Sequence, residues 1–197
     1  DPGVYLSQCT EFCGLSHANM RMLVRAVPTD TFEAWAENQL TDKSAEPTDP
    51  QALAGRQVFT SFCSTCHVID GVDQGEQQDI PLVAGVAPNL THLMTRGTFA
   101  GSIFNLYQPL AGTAGADPEG GVPQPYEDYP EAVGDPGGAL TGGPVDESRV
   151  NRSTLEAWLR NAPALKPMAP DQGRGMPNLG LNEDQIDQLV AYLYTLN

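Results

Sequence analysis

Two short stretches of this sequence concentrate groups that bind metals or cofactors. Cys63-Ser64-Thr65-Cys66-His67 places two thiols about one helical turn apart, with an imidazole beside the second. Cys9, Cys13, His17 and Met20 follow one another at spacings of four, four and three. All four cysteines lie in these stretches, so none is left over for a structural disulfide. Cys-x-x-Cys-His has the spacing of covalent haem attachment. Two thiols that add to the two vinyl groups of one macrocycle must sit about a turn apart, and the adjacent imidazole then reaches the iron from the same side. A redox dithiol would have no use for His67, and a zinc site would need a second ligand pair that the chain uses elsewhere. In the first stretch, thiolate, thioether and imidazole are soft ligands that select copper or zinc over hard cations. The alternative is an amphipathic helix with buried cysteines, which Gly14 and the strand-like flanks oppose.

Electron transfer at a haem iron needs a sixth ligand opposite His67, and three methionines are candidates. Met176, in Gly175-Met176-Pro177-Asn178, lies in an irregular stretch whose Pro and Gly can hold a thioether rigidly without secondary structure. Met168, in Lys166-Pro167-Met168-Ala169-Pro170, is its rival. Met94 lies in an expected helix and reads as core packing. Met176 ranks first and Met168 second.

The elements that must position these groups fall into four pieces. Residues 1–28 read as strand, ligand loop, strand. Val4-Tyr5-Leu6 is strand-prone, and from Met20 to Val27 Arg21, Leu23 and Arg25 alternate with Met22, Val24 and Ala26. Two strands cannot bury a core alone, so this piece reads as the tail of a larger domain. Residues 29–48 read as a linker, with a short helix around Phe32 to Glu37 and a polar, mobile run from Thr41 to Thr48. Residues 49–197 form a second domain. Asp49 caps a helix with Pro50 at its first position, and Leu53, Ala54, Val58, Phe59 and Phe62 lead into Cys63. Ser153 and Glu156 suggest a capping box for a helix carrying Leu155, Trp158 and Leu159. Asn182 caps a last helix, where Ile186, Leu189, Val190 and Leu193 recur at helical spacing. Between them, residues 107–148 hold seven Pro, nine Gly, eight acids and no Lys or Arg. That is a long inserted loop with Tyr107, Tyr126 and Tyr129 as possible anchors.

At this level residues 50–197 resemble a class I cytochrome c domain. The resemblance rests on a helix ending in the attachment motif, on Ala87-Pro88-Asn89-Leu90, on Met176-Pro177 and on the C-terminal helix. It implies that the Pro88 carbonyl orients His67, and that the first and last helices cross with Gly55 and Phe59 against Leu189 and Tyr192. It also places Trp158 near the haem, or in the core as an ordinary aromatic. The run Tyr5-Leu6-Ser7-Gln8-Cys9-x-Glu11-x-Cys13-Gly14-x3-His17-x2-Met20 resembles the CuA loop of cytochrome c oxidase subunit II, with Ser7 where that family usually has Gly. Carried over, Cys9 and Cys13 would bridge two coppers, His17 and Met20 would each bind one, and Glu11 would ligate through its carbonyl. The family site needs one more histidine upstream. The chain has only His17, His67 and His92, and His92 reads as a surface or propionate-side residue.

The implied fold is a mainly α, class I cytochrome c domain with covalent haem, preceded by the last strands of a β cupredoxin (CuA) domain. A subunit II tail joined to cytochrome c is the arrangement of caa-type oxidases. The implied function is electron transfer in aerobic respiration, as a subunit of an oxidase and apart from its oxygen-reducing site. Haem c would accept electrons from a donor (a cytochrome, an iron–sulfur protein or a quinol-oxidising complex) and pass them to CuA and then subunit I. The place would be the outer, periplasmic face of the bacterial membrane, with the anchor in upstream segments. No run here approaches the length of a bilayer span, and the chain opens on Asp1-Pro2-Gly3 without a signal peptide, as a cut end would. The rivals are a stand-alone periplasmic c-type carrier, the copper–cytochrome part of a nitric oxide or nitrous oxide reductase, and a copper chaperone. Glu11 between the cysteines favours the oxidase over nitrous oxide reductase. The formal charge of −15, from 25 acids against 10 bases, repels nucleic acid and suits a basic donor.

Overall fold

The computed structural model describes residues 3–72, 87–108, 141–168 and 175–197. Tyr126, Tyr129 and most of the 107–148 stretch lie outside the described residues. The chain starts with an antiparallel hairpin of β1 (Gly3–Gln8) and β2 (Arg21–Ala26), in the register Tyr5 to Val24 and Ser7 to Met22. The β2 alternation matches its sequence pattern: Leu23 and Arg25 turn inward, and Met22 and Val24 are exposed. Helix α1 (Thr29–Asn38) follows directly and is longer than the short helix expected over Phe32 to Glu37.

The run after α1 is not the mobile tether its polar composition suggested. The Lys43 N–H donates to the Asp70 carbonyl, and the Thr41 carbonyl meets His92. Gly71, at φ +81°, lets Ser44 and Asp42 pack so closely that a Cβ there would strike them. Polar residues can be as well anchored as apolar ones when their backbone groups find partners.

Helix α2 (Pro50–Phe62) begins as expected, with the Asp49 side chain accepting from the Ala52 N–H. It crosses α4 (Glu183–Leu193), whose Asn182 and Gln185 form a reciprocal capping box. The crossing is close because Gly55 lacks a Cβ. One built there would run into the Gln188 carbonyl and Tyr192 Cβ. Phe59 and Tyr192 pack beside it with their rings tilted by 57°, 5.8 Å between centroids. The core continues through Leu93, Met94, Leu106, Ile186 and Leu189.

Helix α3 (Arg152–Leu165) corrects one expectation. Its N-cap is Asn151, and Ser153 is already inside the helix. The start is set from outside: the Asn151 N–H donates to the Leu106 carbonyl, and Val150 bridges Tyr107. Glu156 pairs with Arg152 and is not free to cap. The helix kinks at Asn161, two residues before Pro163, whose ring cannot donate and crowds the preceding turn. Arg152 to Asp187 and Arg160 to Glu183, both at 2.6 Å, clip α3 to α4. Tyr107 anchors as expected: it is fully buried and its hydroxyl donates to the Met94 carbonyl at 2.6 Å. A small hairpin, β3 (Thr98–Phe99) with β4 (Phe104–Asn105), was not anticipated. Its turn needs positive φ at Ala100, Gly101 and Ser102.

Candidate functional site

The end of α2 delivers the haem-type motif to the mouth of a large cavity. The Cys63 N–H donates to the Phe59 carbonyl and the His67 N–H to the Cys63 carbonyl, so the last helical turn continues into the motif. Cys63, Cys66 and His67 line a cavity of about 950 Å³ with Phe59, Leu93 and Leu189 behind them. Burial, helped by the neighbouring Cys66, pushes the Cys63 thiol up to about 12.

The His67 Nδ1 lies 2.8 Å from the Pro88 carbonyl oxygen. A carbonyl only accepts, so Nδ1 carries the proton and Nε2 keeps its lone pair. Burial lowers the pKa of His67, with Arg96 adding to the shift against the opposing Pro88 bond. The neutral, ligating form is therefore favoured. Pro88 sits where the resemblance put it.

Both rival methionines reach this cavity. Met176 and Met168 line it, and Met168 packs directly on Gly175, at φ +84°, where a side chain would collide with it. Met176 also packs against the core. Met94 is fully buried and not on the cavity wall, the core position expected of it. Trp158 is on the wall, in an aromatic group with Phe99 and Phe104.

His92 corrects the sequence reading. It is buried and away from the cavity wall. Its ring nitrogens lie 3.2 Å from the Asn197 carbonyl oxygen and 3.1 Å from that of Thr41. Two main-chain oxygens of distant segments face its two nitrogens; each can only accept, so a neutral ring donates to one of them at a time.

Sequence reasoning missed the cations of the cavity. Arg25, Arg96 and Lys166 line it, and no Asp or Glu does among the described residues. In so acidic a chain this is a strong local bias. The Lys166 ammonium donates to the Ala100 carbonyl at 2.9 Å, and burial lowers its pKa, as it does that of Arg96. The one available signal was the isolation of Arg96, the sole cation between Arg56 and Arg149. An apolar cavity with thiols, a neutral imidazole, a thioether and a cationic rim fits a haem with its two carboxylates.

The second ligand set gathers in the β1–β2 loop. The Cys9 N–H donates to the Met20 carbonyl and closes the loop at its base. Gly14, at φ +123°, allows the turn in which the His17 N–H reaches the Gly14 carbonyl. The Cys9 Sγ lies 3.6 Å from the Cys13 Sγ and 3.1 Å from the Glu11 carbonyl oxygen. The Cys13 Sγ lies 3.5 Å from His17 Nδ1 and 3.3 Å from the Met20 Sδ. Residues 9–20 thus bring two thiols, an imidazole, a thioether and a carbonyl within reach of one small metal centre. Phe12 and Leu15 at the loop tip are each 78% exposed.

Comparison with known proteins agrees with this layout. Residues 52–135 match the cytochrome c family, a stretch that includes most of α2 and the attachment motif and ends before Met168 and Met176. The chain is 28% identical over 197 residues to cytochrome c oxidase subunit 2 of Bacillus sp. (strain PS3), covering 98% of this chain and 40% of that protein. It is 27% identical to cytochrome c oxidase subunit 2 of Alkalihalophilus pseudofirmus, over 100% of this chain and 40% of the relative. A shorter match, 54% over 37 residues, links it to cytochrome c oxidase subunit 2 of Brettanomyces custersianus, over 19% of this chain and 15% of that protein. The chain therefore resembles cytochrome c oxidase subunit 2 along its length while spanning about 40% of the bacterial relatives. It contains a mainly helical cytochrome c domain preceded by a two-stranded hairpin.

Proposed function

We propose that this chain is an electron relay of a haem–copper oxygen reductase, the C-terminal part of a caa-type subunit II. Cys63 and Cys66 would hold a haem covalently, and His67 and Met176 would bind its iron. Cys9, Cys13, His17, Met20 and the Glu11 carbonyl would hold the binuclear copper centre CuA, completed by a histidine from upstream. Both groups, when bound, exchange single electrons without bond chemistry on a substrate. Residues 1–28 would be the end of the copper domain, 29–48 the linker and 49–197 the cytochrome domain.

The observation that carries this reading is the convergence of both ligand sets in one chain, one around a cavity of about 950 Å³ and the other at 3.1–3.6 Å. The residues do the holding. The Pro88 carbonyl fixes the His67 tautomer, the apolar wall excludes water, and Arg25, Arg96 and Lys166 would neutralise carboxylates. The chain would accept electrons at the His67 crevice and release them at the Cys9–Cys13 loop towards subunit I. A covalently joined donor acts at high effective concentration without diffusion. Upstream segments of the kind that make up the rest of the relatives would anchor it at the outer face of the membrane. No helix of the described residues is long and apolar enough to cross one.

The test is metal content of the full-length protein. Two coppers per iron are expected. Cys13→Ser should lose copper and keep iron, and Cys66→Ser combined with His67→Ala should lose haem and keep copper. Zinc in place of copper, or copper retained in Cys13→Ser, would refute the copper assignment.

A further inference from the structure

The two ligand-bearing parts touch each other, through a contact that none of the sequence motifs foreshadowed. The Ser16 hydroxyl donates to the Pro167 carbonyl at 2.5 Å, across 151 residues of sequence. Ser16 stands immediately before His17, and Pro167 immediately before Met168 on the cavity wall.

Three features make this contact more than an incidental surface bond. Ser16 is the N-cap of the helical turn His17–Asn19, yet its side chain makes no capping bond. A serine there ordinarily satisfies an N–H of its own turn. This one is directed at another part of the molecule. Its acceptor is equally set apart: the chain leaves α3 at Leu165, and Pro167, with its ring-fixed φ, presents a carbonyl beyond the end of the helix. Finally, the hairpin is docked at its base as well as its tip. Leu23 and Arg25 of β2, with Phe32 and Trp35 of α1, line the same cavity as Cys66 and His67.

We propose that Ser16 is a positioning residue. Its bond to Pro167 docks the metal-ligand loop of residues 9–20 onto the methionine segment of the cytochrome domain, and so sets the rate at which electrons pass between the two parts of the chain. The proposal rests on the electron-relay reading above for its consequence, but the docking itself is a property of the protein alone. The Ser16 hydroxyl is bonded to the Pro167 carbonyl and supplies no ligand atom to either set, so its loss should leave both sites loaded. The docked arrangement is selected from looser ones by this bond together with the β2–α1 wall.

The experiment uses the full-length protein with Ser16→Ala and, as the rescue, Ser16→Thr, which keeps a hydroxyl. Amide exchange is followed at His17, Ala18 and Asn19 and at Lys166 and Met168. Loss of one hydrogen bond should weaken docking, so exchange at both segments should rise together by about fivefold in Ser16→Ala. Ser16→Thr should return it to the wild-type rate. The rate of electron equilibration within the chain should fall in Ser16→Ala and recover in Ser16→Thr, at unchanged iron and copper content. Faster exchange confined to residues 17–19 would mean that the contact does not hold in solution, and the proposal fails. So would an unchanged electron rate when both segments loosen. Absence of copper from the wild type would instead refute the relay reading, and the exchange comparison would still decide the docking.

Discussion

At the residue scale, the two sites are built on opposite principles. His67 is half-buried, favoured in its neutral form and oriented by one carbonyl, with Pro88 fixed by its own ring. The loop cluster is open: Cys13, Glu11 and Met20 are exposed, and the loop is held by the bond at its base and the turn at Gly14. Desolvation, followed by the Cys9 thiol, pushes the Cys13 thiol above its ordinary range. The methionines separate cleanly by experiment. In the haem-loaded protein, Met176→Leu should abolish the thioether-to-iron absorption band and lower the midpoint potential, while Met168→Leu should keep the band. The reverse pattern would transfer the ligand role to Met168.

At the scale of elements, the α2–α4 crossing determines where the attachment motif points. Gly55 is its tightest point, because the space for a Cβ is already taken by the Gln188 backbone and Tyr192. Backbone cannot swing aside as a long side chain can. Gly55→Ala should therefore cost about 1–3 kcal/mol by overpacking, well beyond what its better helix propensity returns. Denaturant unfolding of the haem-loaded protein measures it, and a stability within 0.5 kcal/mol of wild type would mean that the crossing relaxes. The α3–α4 clips behave differently. Arg160 and Glu183 are exposed, and the Arg160 bond holds the Glu183 carboxyl below its usual range. Whatever stability that pair lends is present above the ordinary carboxylate range and lost as pH falls through the lowered value in the fold.

On the scale of the whole molecule, charge is divided unevenly. No Asp or Glu among the described residues is buried, while Arg25, Arg96 and Lys166 are gathered around one cavity. An acidic exterior steers a basic donor, and salt screens it. The second-order rate with a basic redox donor should fall as ionic strength rises from 0.01 to 0.15 M, because the screening length shrinks from about 30 to about 8 Å. A rate independent of salt would leave the acidity without this role. The hairpin adds a second surface. Tyr5 is 50% and Met22 56% exposed on its outer face. In the proposed reading this is the side that the upstream copper domain would cover.

What the sequence determined by itself was chemistry that is local along the chain. Cys63, Cys66 and His67 lie within five residues, and Cys9 to Met20 within twelve, so residue types and spacing pointed to haem and soft-metal chemistry, while the individual roles came from the resemblance. The helix starts at Asp49 and Asn182 were readable for the same reason, since each cap bonds to its own first turn. The start of α3 was not, because Leu106 and Tyr107, far upstream, decide it. The tertiary structure alone decided every feature that depends on distant segments meeting: His92 facing Thr41 and Asn197, Arg25 of the hairpin joining Arg96 and Lys166 around one cavity, and Ser16 reaching Pro167. A hydrogen bond or a cavity wall needs nearness in space. Beyond a few residues, the linear order of the chain carries that information only through the packing of the whole.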